Sequence, residues 1–374
     1  MKLPDQKTAT PRLRVSRLPF LGLGILSLLA GLWGGLIRLP LNLPVPADHA
    51  NWITFHGPLM ICGFLGTVIG LERAVGLQAA WTYAAPLLTG AGALIFILGF
   101  LGPGGPALFA LGSAAFLAVT FRVVQLQRAL FTVTMSLGAA AWLTGNILWL
   151  AGQPVNRVVL WWAAFLVLTI LGERLDLSRF QRQVRWAPPL LIASLAVFLG
   201  GIILSVFAQT AGERATGFGI LALSLWLGRF DIARRTVRQT GLPRFMAICL
   251  LAGYVWLGVA GLLLLRFAPL AFGPGYAAAL HSLFLGFVFS MIFGHAPVIF
   301  PAVLNLPVAF RNRFYLHAGL LHFSLLLRVL ADLSGWGEGR QLGGLLNAAA
   351  ILLFLANTVT SLNRRSGRGP TCLP

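Results

Sequence analysis

Apolar stretches of about 18 residues or more follow one another along the chain, separated by short segments rich in arginine, glycine and proline. A stretch of that length crosses the hydrocarbon core of a bilayer as one helix. In lipid every backbone N–H and C=O must be paired inside the protein, so a chain built of such stretches folds as a helical bundle. With 58% of residues hydrophobic and 10% charged, nothing is left over for a soluble domain. The expectation is an all-α polytopic membrane protein of about twelve transmembrane helices, at 18–38, 52–71, 81–101, 106–124, 130–151, 157–173, 187–208, 215–229, 245–267, 276–303, 313–333 and 342–362.

The formal net charge of +19 would suit a nucleic-acid surface only if it were gathered on one. The basic residues instead lie at the N-terminus and between apolar stretches, where they orient the spans, so no nucleic-acid partner is expected. With the N-terminus inside, most of the 28 Lys and Arg fall on the cytoplasmic side. Only Arg38, Arg157, Arg214, Arg266 and Arg340 fall outside, and Arg328 lies within a span. That asymmetry predicts both termini in the cytoplasm: a basic N-terminus over 1–17, a single twelve-helix domain over 18–363 and a basic tail over 364–374. The first apolar stretch imitates a signal peptide, but it is too long and lacks a small-residue cleavage pattern, so it reads as an uncleaved span. Cys62, Cys249 and Cys372 show no C-x-x-C spacing, which leaves a disulfide framework, a zinc ribbon and a covalently attached c-type haem without support.

Weak internal similarity recurs every four spans. Trp33, Trp142 and Trp256 sit among small residues in spans 1, 5 and 9; Glu72, Glu173 and His295 sit at the inner ends of spans 2, 6 and 10; spans 4, 8 and 12 run into basic tails. The pattern predicts three four-helix units in one bundle.

Ionisable residues inside spans are functional candidates by default. Residues 276–303 carry His281 and His295, fourteen positions apart. On a regular α-helix that is roughly 21 Å of rise and about 40° of azimuth, which puts both on one side, near opposite membrane surfaces. His56, at the start of span 2, matches His281 in depth and repeat position. Two such imidazoles could hold a haem iron from both sides; equally, both could be interfacial side chains bonded to backbone carbonyls. Gly57, Gly63, Gly66 and Gly70 give span 2 a flat face for a ring or another helix. His295 forms a second, inner group with His317 and His322 on span 11. These last two differ by about 140° in azimuth, so at most one can join His295, with Glu72 as a further candidate. Such a group could bind copper or another metal, relay protons or border a second haem, or simply flank Arg311 and Arg313 at an interface. Arg328 and Asp332, spaced i, i+4, could pair with each other, or Arg328 could neutralise a haem propionate. His49, in the loop after span 1, reads as a surface residue.

The pairing of HGPLMICGFLGTVIGLERAV with HSLFLGFVFSMIFGHAP resembles the NnrS-like membrane haem proteins. The whole twelve-helix plan is distantly similar to subunit I of the haem–copper oxidases. The resemblance implies a bacterial inner-membrane protein with haem b between His56 and His281, acting in nitric-oxide response or in quinol-linked electron transfer beside respiratory-chain subunits. The departures are specific. Residues 157–208 contain no histidine or tyrosine, His281 is followed by Ser282 and Leu283 rather than a second histidine, and the H-A-H-E-M-type opening is reduced to HGPLM. A copper-B site for oxygen reduction is therefore not expected, and no catalytic residue is assigned. A secondary transporter, or a metal or assembly factor for a respiratory complex, are the alternatives the same spans allow.

Overall fold

The computed structural model describes residues 14–41, 51–179 and 184–362. Its architecture is an all-α bundle of the multi-pass membrane type. His49, most of the 1–17 segment and the 364–374 tail lie outside the described residues.

Twelve long helices occur among the described residues. α1 is Leu18–Ile37. α2 is continuous through Asn51–Pro58, a π-helical stretch Leu59–Leu65 and Gly66–Leu77. α3 is Ala84–Ile97, α4 Gly104–Leu126, α5 Leu130–Leu150, α6 Val155–Ser178, α7 Ala187–Phe207, α8 Gln209–Phe230 and α9 Gly241–Phe267. α10 runs through Pro274–His281, a second π-helical stretch Ser282–Phe289 and Ser290–Leu304; α11 is Phe314–Ser334 and α12 Gly337–Thr360. Short loops make successive helices alternate in direction. The near face is the one on which α1 begins, and the far face is the opposite one.

Eleven of these helices are long and apolar enough to cross a membrane. The exception is α8, which begins six positions before the expected 215 and includes Glu213, Arg214 and Arg229. Its polar start is accommodated because Glu213 is 2% exposed and accepts hydrogen bonds from the Leu270 backbone N–H and the Gln209 amide. Only Ala208 separates α7 from α8, and the close antiparallel contact relies on Gly212 and Gly219, where an added Cβ would overlap the α7 backbone at Ser205 and Phe198. α6 also outruns its expected end at 173, because its terminal charges are paired: Arg174 with Asp231 and Asp176 with Arg179.

The second helix of each expected unit is among the most enclosed. The apolar windows of α2, α6 and α10 are 61%, 72% and 67% buried, against 33% for α1 and α4. α10 contacts both α2 and α6, and α1 packs against α12, so the first and last helices of the described chain are neighbours. Tryptophans from outer helices insert against the central ones: Trp142 of α5 covers Gly66 of α2, and Trp256 of α9 covers Gly286 of α10. The glycine face of α2 is thus used mainly for helix packing. Gly63 meets Ser27 and Ala93, Gly66 meets Trp142 and Gly70 meets Pro86, whereas Gly57 borders open space.

One buried polar node ties four helices together. Asn146 of α5 accepts from Trp162 Nε1 of α6 at 2.9 Å and from Cys62 Sγ of α2 at 3.4 Å. Its amide donates to the Phe109 carbonyl and the Ser113 hydroxyl of α4, both at 3.1 Å. Asn146→Leu strands at least the Trp162 indole N–H in an apolar core. The expected loss is about 1–3 kcal/mol, read as a lower unfolding midpoint of the purified protein in detergent.

Candidate functional site

A cavity of about 710 Å³ opens toward the far face, between α1, α2, α10, α11 and α12 with a wall from the α5–α6 loop. That size is ordinary for a site holding a small molecule or cofactor. His56, His281 and Arg328 all line it, so the three residues that the sequence singles out as cofactor-binding share one space. Its remaining wall is largely apolar, with Phe55, Met60, Trp149 and Phe284 among the lining side chains.

The two histidines are held in the same way. His56 Nδ1 lies 2.6 Å from the Gly31 carbonyl of α1, and His281 Nδ1 lies 2.7 Å from the Ala277 carbonyl one turn earlier on α10. A carbonyl only accepts, so Nδ1 carries the proton in each ring, and Nε2 of the neutral imidazole keeps its lone pair. Metal-ligating histidines have this arrangement, since the bond at one ring nitrogen fixes the orientation and tautomer of the other. The two readings left open by the sequence, carbonyl-bonded side chain and ligand, are therefore compatible, because they use different nitrogens. Gly35 of α1 makes room for the His56 ring; a Cβ there would lie 2.8 Å from Cε1 and 2.9 Å from Nδ1.

Each π-helical stretch begins shortly after a histidine. In α2 it starts at Leu59, beyond His56, Gly57 and Pro58, and in α10 it starts at Ser282, directly after His281. Wide i→i+5 turns recur at functional sites. They also advance the chain by less than the roughly 100° per residue of a regular helix, so the arithmetic that placed His281 and His295 on one side does not carry through α10. His281 borders the cavity, whereas His295 belongs to the charged near face.

The expected Arg328–Asp332 pair is replaced. Asp332 forms its ion pair with Arg340 of α12 at 3.2 Å, because α12 starts beside the last turn of α11. The close approach of the two helices is permitted by Gly343, where a Cβ would meet the Arg328 backbone at 2.9 Å. Arg328 has no ion pair among the described residues, and its Nε is buried without a partner. Arg38 and Arg340 line the cavity with it. Sequence reasoning placed both only as outer-side charges that orient the spans; their positions at the end of α1 and the start of α12 were the available signal.

The inner group does not converge. His317 lies among Phe245, Phe293, Phe314 and Phe354, with Nδ1 3.1 Å from the Asn357 amide. His322 accepts from Trp256 Nε1 at 3.1 Å, and its Nε2 lies 3.3 Å from Ser290 Oγ. Both rings are committed to packing and to different partners. His295 bonds the Met291 carbonyl through Nδ1 at 2.8 Å. Among the described residues, no group of three or more His, Cys, Asp or Glu is placed to hold a metal ion, and His317 and His322 have partners of their own, so the expected inner set of His295, His317, His322 and Glu72 is not gathered at one point. The sequence also missed Asp231, whose carboxylate receives Arg174 Nε and Nη2 at 2.8 and 3.0 Å.

Residues 17–363 match a family described as a domain of unknown function, DUF8744. The chain belongs to the DUF8744 family. No curated protein matches it. The matched region takes in all twelve helices, and with them both the far-face cavity and the charged near face of this DUF8744 chain.

Proposed function

We propose that the protein is a membrane haem-binding protein in which His56 and His281 hold one haem b in the far-face cavity. The observation that carries this reading is the matched pair of imidazoles, each with Nδ1 tied to a carbonyl and both lining one apolar cavity that also contains an arginine with no ion pair among the described residues.

The residues fit the group. The Nε2 lone pairs of His56 and His281 would hold the iron, the apolar wall would take the macrocycle, and Arg328 with Arg38 would balance its carboxylate arms. When bound, the haem would supply one-electron redox chemistry. The protein's own part is to orient both rings through Gly31 and Ala277, to keep water from the apolar wall and to hold positive charge at the rim. On this reading the far face is the outer side of a bacterial inner membrane, both termini are cytoplasmic, and the role is nitric-oxide response or quinol-linked electron transfer with respiratory-chain partners. Oxygen reduction at a copper-B site is not part of the proposal.

Absorption spectroscopy of the full-length protein, purified from cells with ample haem, tests it. A Soret band that shifts on dithionite reduction is expected; protein free of haem under those conditions overturns the reading. Addition of nitric oxide or of a quinol to the reduced and oxidised forms then separates the two roles. Gly35→Ala forces the His56 ring away from Gly31 and is expected to weaken haem retention about 10–100-fold, measured by haem transfer to an apoprotein acceptor.

A further inference from the structure

We propose that Arg229 and Arg234, at the near-face end of α8, bind the phosphate of an anionic glycerophospholipid, with Trp186 and Phe230 against its acyl chains. None of these residues lines the cavity, and the inference does not rest on the haem reading.

The local sequence builds the site. α8 ends at Phe230, and the next residue, Asp231, turns its carboxylate inward to Arg174 and to the Ala233 N–H. That carboxylate is the only one between Arg229 and Arg244, so the arginines of this segment have no acidic partner within it. The helical turn Ala233–Thr236 is pinned on one side by Ala233, which is fully buried, and by Val237, packed against the core. Arg234, Arg235 and Arg238 are left exposed. Arg234 reaches back and donates from Nη1 to the Arg229 carbonyl at 3.1 Å. Arg229 in turn lies over the Phe230 ring, 5.3 Å from its centroid. Neither guanidinium has an ion pair among the described residues.

The aromatic side faces the membrane. Phe230 meets Trp186, the residue before α7, edge-on at 5.0 Å, and Trp186 is 50% exposed. Amphipathic rings of this kind settle at the headgroup level of a bilayer. Further into the span, Leu190 of α7 and Leu225 of α8 are exposed as well. Guanidinium groups donate paired N–H bonds to phosphate oxygens. Two of them above an aromatic pair and an apolar wall therefore match a lipid phosphate above its chains. An acidic protein segment or a free phosphate would use the arginines and leave the rings unused.

Native mass spectrometry of the full-length protein, titrated in detergent with phosphatidylglycerol or phosphatidylcholine, tests the proposal. Discrete phosphatidylglycerol adducts should survive release from detergent in preference to phosphatidylcholine. Arg229→Gln with Arg234→Gln should weaken phosphatidylglycerol retention about 25-fold, each guanidinium near the surface contributing about five-fold. Arg229→Lys with Arg234→Lys should keep most of the preference, which separates loss of charge from loss of fold. Arg122→Gln with Arg128→Gln removes the same charge from exposed near-face positions around the end of α4 and should leave retention unchanged. Retention indifferent to the Arg229 and Arg234 glutamine pair, or lowered equally by the Arg122 and Arg128 pair, overturns the proposal. Displacement of the lipid by millimolar inorganic phosphate also overturns it, in favour of a free-anion site.

Discussion

His281→Ala is expected to leave the purified protein with less than about a tenth of the wild-type haem at equal haem supply, and His56→Ala to do the same. In the proposed arrangement each ring supplies one of two nitrogen lone pairs, and a single remaining imidazole in an apolar cavity cannot replace the second. His317→Gln provides the contrast. That ring is fully buried among phenylalanines, away from the cavity lining, and the variant should keep its haem even if its stability falls. Pyridine haemochrome quantification, normalised to monodisperse protein, reads the result. Full haem content in both the His56 and His281 variants would exclude the paired-ligand arrangement.

The second large effect is on stability. The Arg174–Asp231 pair is bidentate and its side chains are 3% and 1% exposed. Arg174→Met removes one partner and leaves a carboxylate in an apolar surround, at a cost of about 3–5 kcal/mol. Asp231 also accepts the Ala233 N–H at 2.7 Å, so the near-face turn after α8 should loosen with it. Adding Asp231→Leu to Arg174→Met removes the uncompensated charge and is expected to recover part of the loss, a non-additivity that identifies the pair as the cause. Arg73–Glu173 is the comparison: at 22% and 26% exposed, it is less enclosed, and breaking it should cost less than breaking Arg174–Asp231. Unfolding midpoints in detergent or mixed micelles would order the variants.

The bundle was legible in the sequence because lipid imposes one rule on every apolar stretch. The same rule hid the start of α8, where Glu213 lowers the hydropathy; the compensating partners, Gln209 and the Leu270 N–H, can be recognised only once the chain is folded. His56 and His281 could be paired from depth and repeat position. The near-face group was misjudged for a different reason. The short connection between α10 and α11 makes the two helices neighbours without fixing which side chains meet, and His317 and His322 are taken up by Asn357 and Trp256 instead. Asp332 was misassigned because i, i+4 spacing describes one helix, whereas its partner Arg340 comes from the next.

The packing of α1 against α12 bears on biosynthesis. The cavity takes walls from α1 and α2, and from α10, α11 and α12, helices that leave the ribosome at widely separated times. Its enclosure is therefore completed only when α12 docks beside α1. A cofactor would then be captured after these helices are made, and haem loading would report that the bundle had closed.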